Sequence, residues 1–151
     1  MVPISVQTAA LSLSPGGTDG TMSASDPHAT FGYVTRRLND YELAYLHVIE
    51  PRIRGIVEQA TQEGDVTSKD IRCIYRGTAT AAGGFMGDSA EQIIADGHAD
   101  MAAFGRMLVS NPDLLHRLRN GRLLTPYDRS TFYGGDARGY TDYAPDSATT
   151  A

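Results

Sequence analysis

Two short stretches carry residues suited to holding an anion. Gly83-Gly84 ends the small-residue run TATAAGGF (78–85), and Gly105-Arg106 follows MAAF (101–104). Glycine lets backbone N–H groups approach an anion closely, and an arginine at the carboxyl end of a strand adds a bidentate, charged donor. If the two runs are adjacent parallel strands, both pairs fall at one sheet edge, where open α/β sheets bind ligands. Gly83-Gly84 fits a plain turn equally, and the residues alone leave both readings open. The chain has neither Gly-x-Gly-x-x-Gly nor a P-loop, which disfavours a dinucleotide fold of that type and a nucleoside triphosphatase.

The other reactive side chains form no catalytic or metal-binding set. His28, His47, His98 and His116 stand at no metal-ligand spacing, and His98 and His116 read as solvated on helices or helix ends. His47 lies inside an apolar run. It is either a core or barrel-facing histidine paired with a backbone carbonyl or a participant in chemistry. Ser14 has no Gly-x-Ser-x-Gly frame, so nucleophilic serine catalysis has no support. Cys73, the single cysteine, permits no internal disulfide and suggests a reducing compartment. Arg52 and Arg54 read as exposed loop charges, with Glu50 pairing one of them at the surface. No catalytic residue and no metal ligand is assigned.

The elements that must position these groups alternate between strand and helix. Ala9 to Leu13 carries the weak signature of a buried strand, and residues 15–30 read as a long loop rich in Pro, Gly, Ser, Thr and Asp. Phe31, Val34, Thr35 and Leu38 recur at helical spacing, with Arg36, Arg37, Asn39 and Asp40 turned to water. Leu43 to Ile49 is nearly continuous apolar sequence and predicts a strand buried on both faces. Ile53, Ile56, Val57 and Ala60 suggest a short helix or ordered loop. Thr78 to Ala82 predicts a strand, and 88–100 a helix with Asp88 as N-cap and Ala90, Ile93, Ile94 and Gly97 inward. Met101 to Phe104 is the next strand, after which Asn111 and Pro112 start a helix with Leu114, Leu115 and Leu118. Residues 122–143, with four of the eight tyrosines, read as an ordered closing loop, and 144–151 as a frayed, disordered tail.

Length and charge fit this α/β pattern. The chain has 151 residues, 13 Lys+Arg against 18 Asp+Glu, a net charge of −5 and 41% hydrophobic content, which suits one soluble domain. The acidic balance and dispersed basic residues argue against nucleic acid as a partner. No run approaches the roughly 18 apolar residues of a membrane span, and the first residues lack the basic region of a signal peptide. A cytoplasmic protein is expected.

Four segments then carry a resemblance. AYLHVIEPRIRG (44–55), AAGGF (81–85), DMAAFGRMLVSNPDLLHRLRNG (100–121) and FYGGDARGYTDY (132–143) occur in order. They closely resemble the carboxyl-terminal part of the Old Yellow Enzyme family, flavin-dependent ene-reductases that include N-ethylmaleimide and 12-oxophytodienoate reductases. The resemblance runs from SLSPGG (12–17) to about Tyr143; residues 1–8 match nothing in the family. It implies a TIM (β/α)₈ barrel with FMN at the carboxyl face of its strands, a fold that takes about 250 residues. This chain is expected to hold the carboxyl-terminal half: Ala9 to Leu13 as the fifth strand, Leu43 to Val48 as the sixth, Thr78 to Ala82 as the seventh and Met101 to Phe104 as the eighth. Residues 1–143 would form the partial FMN-binding barrel.

The resemblance also assigns roles. Gly83, Gly84 and Gly105 would meet the FMN phosphate through backbone and Arg106 through its guanidinium, while Phe132 or Tyr133 would lie near the flavin and the substrate mouth. Where the family carries an arginine against the flavin ring, this chain has Ser12. The family's carbonyl-binding pair and proton-donating tyrosine belong to its earlier strands. The implied function is an FMN-dependent oxidoreductase passing hydride from NAD(P)H to an activated alkene. It needs a complementing amino-terminal half-barrel or self-association. The alternative is an inactive half-barrel that binds FMN or phosphate weakly.

Overall fold

The computed structural model describes residues 9–17, 23–54, 57–134 and 136–146. The expectations for residues 1–8, for 18–22 within the first loop, for Ile56 and for the end of the tail, 147–151, lie outside them. The chain packs as two compact units, one up to Ala103 and one from Phe104 on.

The first unit holds a four-stranded sheet of β1 (Ala10–Leu13), β2 (Tyr45–Ile49), β5 (Ala79–Ala82) and β6 (Met101–Ala103), in the order β1-β2-β5-β6 and parallel throughout. Parallel neighbours need crossover connections. Helix α1 (Pro27–Leu38) supplies one between β1 and β2, α2 (Ser68–Arg72) one between β2 and β5, and α3 (Gly87–Ala95) one between β5 and β6. Leu46, Val48 and Ala79 from the strands pack with Leu38 of α1, Val66, and Ile71 and Tyr75 from α2 and the turn after it. Leu11 and Leu13 flank this core half-buried.

This core covers only one face of the sheet. Along β2, Leu46 and Val48 are fully buried while Tyr45 is exposed and His47 and Ile49 are half-buried. The expectation of a strand buried on both faces is therefore corrected. Alternate residues point to opposite faces, and the apolar run conceals that period. Strand β1 is corrected likewise, since Ala10 and Ser12 are exposed.

Helix α1 starts at Pro27, inside the segment expected to be loop. Asp26 caps it by accepting the Ala29 N–H at 2.8 Å, and proline suits the first turn because its missing N–H would have had no helical partner. Asn39 at the other end does not face water as expected. Its Nδ2 donates to Ile74 O at 3.0 Å and its Oδ1 accepts from Arg76 N at 2.8 Å, tying α1 to the turn after α2. Ile53 and Val57, expected in a short helix or ordered loop, instead stand in a two-stranded antiparallel ribbon, β3 (Ile53–Arg54) and β4 (Val57–Glu58). The N-cap of helix α3 is Met86, two residues before the expected cap Asp88, and Ser89 Oγ accepts the Met86 N–H at 2.9 Å. Ala90 faces inward, but Ile94 and Gly97 are exposed.

In the second unit, α4 (Arg106–Ser110) and α5 (Leu114–Arg119) precede a 3₁₀ turn at Arg129–Thr131. Asn111 does not cap α5, as the sequence suggested. It ends α4, fully buried, with Nδ2 on Met107 O and Thr125 O and Oδ1 on Thr125 N, while Asp113 stands at the N-cap of α5. Leu115 is exposed; Leu114 and Arg117 form the buried side of α5. The Arg117 guanidinium reaches Asp113, Leu123 O and Ala144 O, and the Asp146 N–H donates to Asp113 Oδ2, so residues 144 and 146 are fastened to α5. Among the described residues no helix is long and apolar enough to cross a membrane.

Candidate functional site

The turn after β5 is built on two successive glycines with positive φ. Gly83 has φ +115° and Gly84 φ +63°, conformations that L side chains rarely adopt. A Cβ on Gly83 would stand 2.9 Å from Ile53 Cγ1, and one on Gly84 2.9 Å from Glu58 Oε1. Gly83 therefore requires glycine for both conformation and space, and Gly84 for conformation, since the Glu58 carboxylate at its side can swing away.

Arg52 holds this turn while Glu50 and Glu58 stand beside it, and the first two correct the sequence reading. Arg52 is not an exposed loop charge. It is half-buried, its Nε donates to Gly83 O at 2.7 Å, and its guanidinium lies 4.4 Å from the centroid of the Phe85 ring, while Nη2 is buried with no hydrogen-bond partner. Glu50 pairs with neither arginine. It is buried at the end of β2 and accepts from the N–H and the hydroxyl of Ser68, the first residue of α2. Arg54 bonds Asp65 at 2.7 Å. Glu58 has its carboxylate beside Gly84. Arg52 was discoverable from sequence by the same rule that singled out Arg106, since it too stands just beyond the carboxyl end of a strand, three residues after Ile49.

Gly105 is different from the glycines of that turn. Its φ is −100°, and a Cβ added there would meet nothing within 4 Å. It precedes α4, whose first residue is the half-buried Arg106. Also in the second unit, the Phe132 ring lies 5.4 Å from Tyr127 and 6.2 Å edge-on from Tyr133, centroid to centroid, and Tyr133 is 88% exposed. Gly83 and Gly84 thus belong to the first unit, and Gly105, Arg106, Phe132 and Tyr133 to the second.

The sheet face opposite the core carries a polar row that the sequence did not reveal as such. Register pairs Ser12 with His47, His47 with Thr80, and Thr80 with Met101. Ser12 Oγ and His47 Nδ1 are 2.9 Å apart, so the partner of His47 at that nitrogen is a hydroxyl and not the backbone carbonyl of the first of its two readings. Burial lowers the His47 pKa, because it disfavours the charged ring.

The model of the NADH:flavin oxidoreductase / NADH oxidase family matches residues 12–125. The chain is 38% identical over 128 residues to 12-oxophytodienoate reductase 2 of Arabidopsis thaliana, an alignment that covers 84% of this chain and 33% of that protein. It is 36% identical over 132 residues to a putative 12-oxophytodienoate reductase 11 of rice, Oryza sativa subsp. japonica, covering 87% and 35%. Morphinone reductase superposes with TM-score 0.78 at 32% identity over 94% of this chain and 37% of that one. The old yellow enzyme of Trypanosoma cruzi gives TM-score 0.80 at 30% identity, over 91% and 35%. The chain thus spans about a third of the length of the relatives it matches. The parallel sheet with its crossover helices is part of a TIM (β/α)₈ barrel, and the matched extent fits the carboxyl-terminal part that the motifs indicate. By sequence and by structure, the chain belongs to the FMN-using NADH:flavin oxidoreductase / NADH oxidase family.

Proposed function

We propose that the chain supplies the phosphate-binding part of the FMN site of an ene-reductase-type oxidoreductase. One observation carries this reading: a turn at the carboxyl end of a central parallel strand where positive φ demands glycine at Gly83 and at Gly84, and where close packing demands it at Gly83 as well. An anion at such a turn meets backbone rather than side chain. Gly105 and Arg106, in the second unit, are the further candidates the resemblance supplies for holding phosphate, with the guanidinium as bidentate donor. The residues present fit the group. The turn is held in place by Arg52, and the Glu58 carboxylate beside it can accept hydrogen bonds from ribityl hydroxyls.

Bound FMN supplies the hydride chemistry, from NADH or NADPH to the β-carbon of an activated alkene. The chain's own residues bind and orient. Phe132 and Tyr133 offer an aromatic surface, with Tyr133 open to a small-molecule substrate. Strands β1 and β6 are the edges of the sheet among the described residues, which supports completion by an amino-terminal half-barrel or by self-association. One observation favours the second reading, an inactive half-barrel that binds FMN weakly: Ser12, where the resemblance places an arginine against the flavin, is engaged with neutral His47.

Flavin fluorescence titration tests the proposal. FMN should be quenched on binding, and Arg106→Ala should weaken the affinity by about 1.5–3 kcal/mol, the range for hydrogen bonds to charged groups. Equal affinity for wild type and Arg106→Ala would remove the phosphate assignment.

A further inference from the structure

A cavity of about 620 Å³ opens between the turn after β1, the start of α1 and the β3–β4 ribbon, within the size range of small-molecule sites. Pro15, Ala24, Pro27 and Phe31 give it apolar walls, serine and threonine hydroxyls add to the lining, and Arg54 and Asp65 bring the charge. These walls are held in place. Gly17 N donates to Ser14 O at 3.0 Å, a Cβ on Gly16 would stand 2.7 Å from the Cα of Pro51, and Asp65 Oδ2 accepts from Gln62 N at 2.7 Å. Arg54 Nη2 donates to Asp65 Oδ1 at 2.7 Å, which pins the guanidinium, yet its Nε is buried with no hydrogen-bond partner among the described residues. A buried N–H without an acceptor is costly, so a pinned one beside a cavity points to an acceptor that the cavity receives.

We propose that this cavity binds a small, uncharged, mainly apolar molecule whose carbonyl oxygen accepts from the Arg54 Nε–H. The charge balance selects that class: Asp65 already neutralises the guanidinium, so an anionic ligand would meet the carboxylate and a cationic one the arginine. The site is separate from the flavin site proposed above. Ile53 and Glu58 turn towards Gly83 and Gly84, and Arg54, next along β3, points to the other side of the ribbon by alternation. Phe31 packs against the core, on the sheet face opposite Ser12, His47 and Thr80. Occupancy of this cavity therefore does not depend on FMN.

Acetophenone and ethylbenzene test this, because they share ring and chain length and differ only in a carbonyl against a methylene. Acetophenone should bind about tenfold more tightly, the worth of one such hydrogen bond. It should also shift the Arg54 Nε–H resonance in ¹H–¹⁵N spectra, assigned by its loss in Arg54→Lys. Lysine keeps a cation for Asp65 but has no Nε–H, so in Arg54→Lys acetophenone should fall to the affinity of ethylbenzene. Ala24→Phe, which fills the cavity, should abolish binding of both at an unchanged melting temperature. Saturating FMN should leave the acetophenone affinity as it was. Equal affinity for the two ligands in wild type, binding that survives Ala24→Phe, displacement by FMN, or no binding of acetophenone each overturns the proposal.

Discussion

The Glu50 carboxylate and the first residue of α2, Ser68, are locked together: one carboxylate oxygen, Oε1, accepts from both the N–H and the hydroxyl of Ser68. This relationship ties the carboxyl end of β2 to the amino end of the following helix. It places a negative charge at the end of the helix dipole where charge of that sign is favoured. Glu50 also borders the candidate site, because a Cβ on Gly83 would come within 3.3 Å of Glu50 Cβ.

Glu50→Ala should destabilise the fold by about 1.5–3 kcal/mol, as it strips a charged acceptor from two donors. Ser68→Ala should cost less, because its backbone N–H keeps the carboxylate. Urea midpoints compared at constant slope would check this. Equal costs for the two variants would mean that the hydroxyl, not the helix end, is what Glu50 serves.

Substituting the glycines separates the two halves of the phosphate assignment. Gly83→Ala and Gly84→Ala should each cost about 1–3 kcal/mol, through an unfavourable backbone conformation and contact with Ile53 or Glu58. Gly105→Ala meets open space at φ −100° and should be close to neutral for stability. Thermal melts of the three variants provide the comparison. A Gly105→Ala as damaging as the other two would contradict the open geometry there.

The resemblance and the strand-helix alternation made the parallel sheet, its four strands and the turn at Gly83-Gly84 legible in the sequence. Side-chain pairing was not. Glu50, Arg52 and Arg54 stand in one short charged stretch, which looks like an exposed loop until the partners Ser68, Gly83 and Asp65 are known, each at least 11 residues away. The two faces of β2 were hidden because Ile49 is as apolar as Leu46 and Val48 and the ring of Tyr45 is apolar too, so composition carried no clear period. The Ser12–His47–Thr80 row depends on register, which propensity does not specify. Helix α4 escaped because it has five residues, too few to show a hydrophobic period.

In the second unit, Arg117 and Asp113 pair at 2.7 Å with side chains only 9% and 5% exposed. Breaking a buried pair leaves a charge without its partner, so Arg117→Met should cost about 3–5 kcal/mol. It should also free Ala144 and its neighbours, since Arg117 Nη2 donates to Ala144 O. Limited proteolysis should then clip residues after 143 faster than in wild type. An unchanged cleavage rate would mean that the Asp146 contacts alone hold the segment.

The last prediction concerns pH. Burial holds the His47 pKa below its ordinary value of 6.5, and Ser12 and Thr80, the residues that flank it in register, carry no charge; Tyr45 is the other titratable group on that face. As pH falls through 6.5 the unfolded chain takes up this proton before the folded one does. The unfolded state then binds more protons, and stability declines until the lower, folded value is passed. Asp70 acts in a separate, more acid window. Burial raises its pKa, but hydrogen bonds from the Thr67 N–H and hydroxyl, with the charges of His28 and Lys69, outweigh this and lower it below 3.8. Its contribution is therefore complete above 3.8 and is lost as pH falls through the folded value. Urea midpoints of wild type should drop between pH 7.5 and 5.5, and His47→Gln should flatten the profile in that window without altering the acid limb that Asp70 controls. A drop of equal size in His47→Gln would mean that His47 does not set the upper window.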